Sequence, residues 1–316
     1  MAPTLRQLEY IVSLAETGQF VEAARQCAVS QPALSKQIRE VEDLLGLVLF
    51  ERARPRVIVT PAGREVVRRA REILAQSRDL VEAAGTFAGV RQGTIRLGVI
   101  PTVAPYGLPG LLVKLRRHYP DVSFVIRELQ TDVLVEQLRI GALDVGLLAR
   151  PFAADGLTGP DLVVEPFVLV APEGHPLSVN GAVRPNEIDG ASLILMESGH
   201  CLRDQAIEVC AAGRRPPSTS ITAASVSTLV RMVESGIGAT LLPASALLAE
   251  VREGHGLVAR SFAGAQPGRT LTLQWRSTSP SSEWFGELGD VLREHYLGLN
   301  ATCPRVAGPR PRIRGV

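Results

Sequence analysis

Apolar positions in the first fifty residues recur at helical spacing. Residues 5 to 17 and 19 to 27 each carry such a stripe, interrupted at Gly18 and again at Ala28-Val29-Ser30. A third stripe, Leu34, Ile38, Val41 and Leu45, follows at spacings of four, three and four. Ser30 can cap that helix, and Pro32 is tolerated in its first turn. Residues 50 to 59 alternate instead, as a short hairpin does. Thr60-Pro61 then supplies an N-cap and a first-turn proline for a long helix through Val66, Ala70, Ile73, Leu74, Leu80 and Val81 to about Phe87. Its apolar seam fits helix pairing between two subunits.

Beyond Gly89 and Gly93 strand and helix signals alternate. Strands are expected at 94–100, 122–128 and 143–148, with helices at 107–118 and from Asp132. A second unit holds strands at 167–170, 193–196 and 239–242, a helix around Cys201 and another at 226–234. Residues 270–276 and a helix from Ser282 to Tyr296 return to the first unit. The expected fold class is α/β: an N-terminal winged helix-turn-helix with a long linker helix, then a domain of two α/β lobes around a largely parallel sheet. Those lobes resemble periplasmic binding proteins, which implies a ligand site in the cleft between them. The expected boundaries are 1–62 for the winged helix-turn-helix domain, 61–92 for the linker and hinge, 93–303 for the two-lobed domain and 304–316 for a disordered basic tail.

Composition narrows the function. A chain of 316 residues, 46% hydrophobic, can bury two or three cores, and its net charge of +2 makes any nucleic-acid contact local. Residues 1 to 90 hold 12 basic and 11 acidic groups, yet between Arg52 and Arg71 there are seven arginines and one acid, Glu65. Ser30, Gln31, Pro32, Ser35, Lys36 and Arg39 form a short polar and cationic face suited to a major groove. Arg52, Arg54 and Arg56 on the hairpin would meet phosphates. A small helical bundle with a solvated face is the competing reading of the helices alone. No apolar run is long enough to cross a membrane, and Met1 to Glu9 lacks a basic region followed by an apolar run, so a soluble cytoplasmic protein is expected. Zinc spacing, a Walker loop and hydrolase motifs are absent, and neither cofactor nor metal is expected.

Four cysteines make no disulfide framework. Two of them stand in Glu197-Ser198-Gly199-His200-Cys201-Leu202-Arg203-Asp204-Gln205-Ala206 and at Cys210. With Ser198 or Gly199 as N-cap, Cys201 falls in the polarised first turn of a helix, beside His200 and Arg203, where a thiolate is favoured. An intact helix holds Cys201 and Cys210 roughly 13 Å apart, and a disulfide needs Cα atoms within about 7 Å. Joining them therefore requires the helix to unwind. Spacing alone favours two ordinary buried cysteines over such a redox switch. Cys27 and Cys303 are given no redox role.

Ala23-Ala24, Ser30-Gln31-Pro32-Ala33-Leu34-Ser35, Leu44-Leu45-Gly46, Leu49-Phe50-Glu51-Arg52 and Thr60-Pro61-Ala62-Gly63 closely resemble the N-terminal domain of LysR-type transcriptional regulators. The resemblance implies double-stranded operator DNA and RNA polymerase as partners, and a homotetramer built as a dimer of dimers. Ile100-Pro101-Thr102-Val103-Ala104-Pro105-Tyr106, Glu128-Leu129-Gln130-Thr131, the Cys201 segment, Gly236-Ile237-Gly238-Ala239-Thr240-Leu241-Leu242-Pro243 and Gly268-Arg269-Thr270 are similar to the hydrogen-peroxide-sensing branch of that family. That likeness implies Cys201 as peroxidatic cysteine and Cys210 as resolving cysteine. It places Thr102, Thr131, His200 and Arg269 in a peroxide pocket with Asp204 as a polar neighbour, and a thioredoxin or glutaredoxin as reductant. The expected function is a non-enzymatic transcriptional regulator. Competing readings are a regulator that binds a small organic inducer in the cleft, a thiol peroxidase, and a secreted solute-binding protein.

Overall fold

The structure is a computed structural model that describes residues 2–52, 56–87, 93–178, 181–188, 192–210, 221–252 and 254–302. Arg54, Cys303 and the tail 304–316 lie outside the described residues, as does most of the hinge after the long helix. The chain divides into two compact units.

In the first unit, α1 (Leu5–Thr17) opens on a capping box, in which Thr4 Oγ1 accepts from Gln7 N and Gln7 Oε1 accepts from Thr4 N. It ends at Gly18, whose φ of 64° reverses the chain. After α2 (Phe20–Gln26), Ser30 Oγ accepts from Ala33 N to start α3 (Gln31–Leu45), with Pro32 in its first turn. Leu34, Ile38 and Val41 bury against Leu8, Ile11 and Leu14 of α1, while Leu45, expected in the same stripe, is exposed at the helix end. Strands β1 (Phe50–Arg52) and β2 (Val57–Val59) pair antiparallel as the wing, with Phe50 opposite Val59.

The long helix α4 (Pro61–Phe87) is capped by Thr60 Oγ1, which accepts from Gly63 N and donates to the Val48 carbonyl. Its apolar positions split between two faces. Val67 and Ala70 complete the core on α1, whereas Ile73, Leu80 and Val81 are exposed on the single chain. The arginine cluster is less positive than its count suggests. Arg68 and Arg69 pair with Glu65 and Glu72, and Arg71 pairs with Glu16. The two guanidiniums hold the Glu65 carboxyl down at about 2.

The second unit begins with β3 (Gly93–Val99), α5 (Ala104–His118), β4 (Val122–Glu128), α6 (Thr131–Arg139) and β5 (Val145–Ala149). Strands β4, β3 and β5 are parallel neighbours. After β6 (Leu157–Thr158), the twelve-residue β7 (Asp161–Pro172) leads into β8 (Leu195–Met196), α7 (Cys201–Cys210), β9 (Thr222–Ala223), α8 (Val226–Glu234) and β10 (Thr240–Pro243). Then α9 (Leu247–Glu250), β11 (Leu257–Arg260), β12 (Gly268–Arg276) and α10 (Ser282–Thr302) close the unit.

The largely parallel sheet expected from the alternation of elements is in fact mixed. Its path is β10-β7-β12-β5-β3-β4, and β7 and β12 run antiparallel to their neighbours. The cause is that β7 and β12 are crossover strands shared by two lobes. Leu162 at the start of β7 lies in a first core with Leu97, Val99, Leu134, Leu147, Leu271 and Phe285. Phe167 to Ala171 at its end lie in a second with Leu195, Leu229, Val230 and Leu241. Among the described residues no helix is long and apolar enough to cross a membrane.

Candidate functional site

The site assembles where the two cores meet. Thr102 follows β3 and Thr131 opens α6 just beyond β4, so both stand at the C-terminal ends of adjacent parallel strands, where open α/β sheets present ligand-binding groups. The turn Ser198-Gly199 feeds α7. Gly199 takes a φ of 91°, and the helix starts at Cys201 with the His200 carbonyl accepting from Arg203 N at 3.0 Å. His200, rather than Ser198 or Gly199, therefore occupies the cap position. Cys201 is the first helical residue, where backbone N–H groups lack intrahelical partners and the helix dipole is positive.

The cations expected beside Cys201 are differently deployed. Arg203 Nη1 donates back to the Met196 carbonyl at 3.0 Å. His200 is buried, and desolvation pushes its pKa down while Glu197 and Glu128 pull it the other way. The buried cation of the junction is Arg269, whose side chain is 0% exposed. Its Nε donates to Glu165 Oε2 at 2.8 Å, Nη1 to Thr102 Oγ1 at 2.6 Å and Nη2 to the Thr102 carbonyl at 3.0 Å. Arg269 and Glu165 are directly opposite on β12 and β7, and Glu165 Oε1 also accepts from Ser245 N at 3.2 Å.

Thr102, Thr131, His200 and Arg269 are all buried, as is Cys201. Asp204 is exposed and stands outside that buried set. Three residues not anticipated from the sequence join it. Glu165 neutralises Arg269; Gln130 Nε2 lies 3.1 Å from His200 Nε2; and Gln205, one turn after Cys201, donates through Nε2 to the Arg150 carbonyl at 2.8 Å. A charged residue inside the apolar run of β7 was the available signal for Glu165. Gln130 and Gln205 gave none. Thr131 Oγ1, His200 Nδ1 and Gln205 Oε1 are buried without a hydrogen-bond partner, an arrangement that is costly unless a small polar molecule supplies the missing bonds. A cavity of about 450 Å³ lies alongside, lined by Arg150, Phe167, Gln205, Glu208 and Arg269 among others.

Cys201 and Cys210 are free thiols at opposite ends of α7. Cys201 packs with the first core and Cys210 with the second. Burial pushes the Cys210 thiol up to about 11. A thiol raised above its ordinary value of about 8.5 adds stability below that value and loses it as pH climbs toward the folded one. The denaturant midpoint of the reduced protein is therefore expected to decline between about pH 8.5 and 11, and Cys210→Ala should remove that part of the decline. Cys27, also free and buried, caps α2 and donates no chemistry to this junction. Among the described residues no cluster of three or more His, Cys, Asp or Glu side chains is placed to hold a metal ion.

A winged-helix unit with an exposed polar and cationic helix face, followed in the chain by a two-lobed α/β unit with a buried polar junction, is the architecture of a DNA-binding transcriptional regulator. Comparison with known proteins agrees. The profile described as "Bacterial regulatory helix-turn-helix protein, lysR family" matches residues 5–64, and "LysR substrate binding domain" matches residues 88–297. A "Probable hydrogen peroxide-inducible genes activator" of Streptomyces viridosporus is 39% identical over 94% of this chain and 96% of its own. "HTH-type transcriptional regulator EstR" of Acinetobacter baylyi is 40% identical over 92% and 96%. Full-length OxyR from Pseudomonas aeruginosa, bearing a cysteine-to-aspartate substitution, matches with a TM-score of 0.75 and 33% identity over 92% of this chain and 98% of that one. The chain belongs to the LysR family of bacterial transcriptional regulators, within which it is of the OxyR type.

Proposed function

We propose that this regulator senses hydrogen peroxide through Cys201. The observation that carries the reading is a buried cysteine at the start of a helix together with three unpartnered buried polar atoms, two of them on the neighbouring His200 and Gln205 and one on Thr131. Peroxide is small, uncharged and both donates and accepts, so it suits such groups better than an apolar ligand would. The Cys201 thiolate attacks one oxygen, the O–O bond breaks, and sulfur is oxidised to sulfenic acid while the second oxygen leaves as hydroxide, which becomes water on taking up the proton the thiol released. Thr102, Thr131, His200 and Arg269 hold the peroxide. Arg269 and the first-turn N–H groups stabilise charge on the departing oxygen. Cys210 then attacks the sulfenic acid, releasing a second water and forming the disulfide. A thioredoxin or glutaredoxin restores both thiols.

The rearranged segment is the two-state element through which oxidation alters tetramer packing, operator contacts and engagement of RNA polymerase. On the DNA side, Ser30, Gln31, Pro32, Ser35, Lys36 and Arg39 read and grip the major groove, and Arg52, Arg54 and Arg56 meet phosphates. Ser30, Gln31, Pro32, Lys36, Arg39 and Arg56 are exposed, and Ser35 is half-buried. Arg56→Ala is expected to weaken binding to all DNA sequences alike and to reduce the salt dependence by about one ion, read by fluorescence anisotropy over a salt series.

The reading is tested by peptide mass spectrometry of reduced protein after a brief pulse of near-stoichiometric peroxide. A linked Cys201–Cys210 peptide, absent from Cys201→Ser, is the expected result. Unmodified cysteines would sink it. A second reading has its own support: the cavity of about 450 Å³ is far larger than peroxide. Under that reading a small organic inducer fills the cavity, the cysteines are structural, and Cys201→Ser keeps its response.

A further inference from the structure

Gln130 caps α6, its carbonyl accepting from Leu134 N at 2.9 Å, while the preceding Leu129 N donates to the Val99 carbonyl at 3.1 Å. Its backbone is thus tied to both β3 and α6. Its side chain reaches the turn that opens α7. A Cβ at Gly199 would lie only 2.7 Å from Gln130 Oε1, so the amide packs directly on that turn, and its Nε2 stands 3.1 Å from His200 Nε2.

An amide nitrogen donates and does not accept. With the amide nitrogen facing the ring, His200 Nε2 is the acceptor, which leaves the ring proton on Nδ1. Burial favours the neutral ring. The Nδ1 so protonated is buried and has no partner.

We propose that Gln130 is a positioning residue for peroxide reduction: by donating to His200 Nε2 it fixes the tautomer whose Nδ1–H is a ready donor to the oxygen that leaves. This rests on the peroxide reading above. When the Cys201 thiolate attacks the near oxygen, the S–O bond forms as the O–O bond breaks, and sulfur loses two electrons to the peroxide. The far oxygen departs as hydroxide, takes up the proton the thiol had released, and becomes water. Nδ1–H stabilises that hydroxide by hydrogen bonding and keeps its own proton. A flipped ring, or one with its proton on Nε2, would present a lone pair to the same oxygen and repel it. Gly199 belongs to the same device, because only a residue without a Cβ lets the Gln130 amide lie against the turn.

The test uses the full-length reduced protein with ¹⁵N-labelled histidine; the chain has five histidines, and His200→Gln assigns the signal. The wild type should show a protonated Nδ1 and an unprotonated Nε2 for His200. Gln130→Met, of similar length but without a donor, should lose that fixed tautomer, and its second-order rate constant with peroxide should fall by about tenfold or more. Alkylation of Cys201 by iodoacetamide, which has no departing oxygen to stabilise, should stay within about twofold. Gln130→Glu, an acceptor, should move the proton to Nε2 with the same loss of rate. A proton on Nε2 in the wild type, or a Gln130→Met protein that reacts with peroxide as fast as wild type, overturns the role of Gln130. A wild type that alkylates readily but ignores peroxide overturns the peroxide reading itself and the role with it.

Discussion

Glu165→Ala is expected to destabilise the regulatory unit by about 3–5 kcal/mol. The Glu165 and Arg269 side chains are 1% and 0% exposed, and they pair across β7 and β12 at the junction of the two cores. Removing the carboxylate strands a guanidinium where water cannot reach it. Thr102 supplies a hydroxyl and a carbonyl to Arg269 but no charge. Ser245 N, which donates to the other carboxylate oxygen, loses its partner at the same time. The measurement is the urea midpoint of the reduced full-length protein at fixed concentration, because subunit association shifts the midpoint too. The Glu165→Leu, Arg269→Met double variant provides the decisive comparison. Replacing both members of a buried pair by apolar side chains is close to neutral where removing one is costly. The double variant should recover much of the lost stability and none of the peroxide reactivity, since Arg269 is gone. A loss below about 1 kcal/mol for Glu165→Ala would show that the junction is wetter than its geometry implies.

That pair also marks where the sequence stops being legible. The helix-turn-helix could be read because each of its signals is local: the stripe Leu34, Ile38, Val41, the Ser30 cap and Pro32 lie within a dozen residues of one another. The parallel strands β3, β4 and β5 could be read for the same reason. The β7 strand could not be delimited, since Glu165-Pro166 interrupts its apolar run and only its second half, Phe167 to Val170, looks like a buried strand. What makes Glu165 tolerable there is Arg269, 104 residues later. Pairing across such a separation leaves no trace in either segment. The return of 270–276 to the first unit is legible, but the antiparallel direction of the two crossover strands is not.

At the candidate site, the hydrogen-bond partners of the side chains are not legible in the sequence. Thr102, Thr131, His200 and Arg269 were identifiable from family likeness, and all four are buried. That Arg203 serves the Met196 carbonyl, that Asp204 faces solvent and that Gln205 reaches the Arg150 carbonyl depend on how α7 is rotated against β8 and β12. Rotation of a ten-residue helix with polar groups on several sides is set by packing, not by its own pattern.

Oxidation is expected to cost α7 its helix, and this is the larger structural effect. Cys201 and Cys210 are nine residues apart in one helix, which separates their Cα atoms by about 13.5 Å, against the roughly 7 Å that a disulfide spans. Shortening the gap requires backbone hydrogen bonds to break along the helix. The residues between cannot stay where they are, because Cys201 belongs to one core while Leu202, Ala206 and Cys210 belong to the other. Withdrawing Leu202 alone costs about 1.5–3 kcal/mol of apolar burial, so the oxidised segment either finds a new packing site or leaves the regulatory unit measurably less stable. Hydrogen–deuterium exchange of the full-length protein tests this directly. In the reduced state the amides from Gln205 to Cys210, which donate within α7, should be protected; after peroxide they should exchange on the order of 10² times faster. Cys210→Ser should stop at the sulfenic acid and keep the reduced pattern of protection. Cys201→Ser should show no change at any peroxide concentration that spares methionine, a loss of sensitivity on the order of 10³-fold or more. Linked cysteines within a segment that stayed protected would overturn the unwinding of α7.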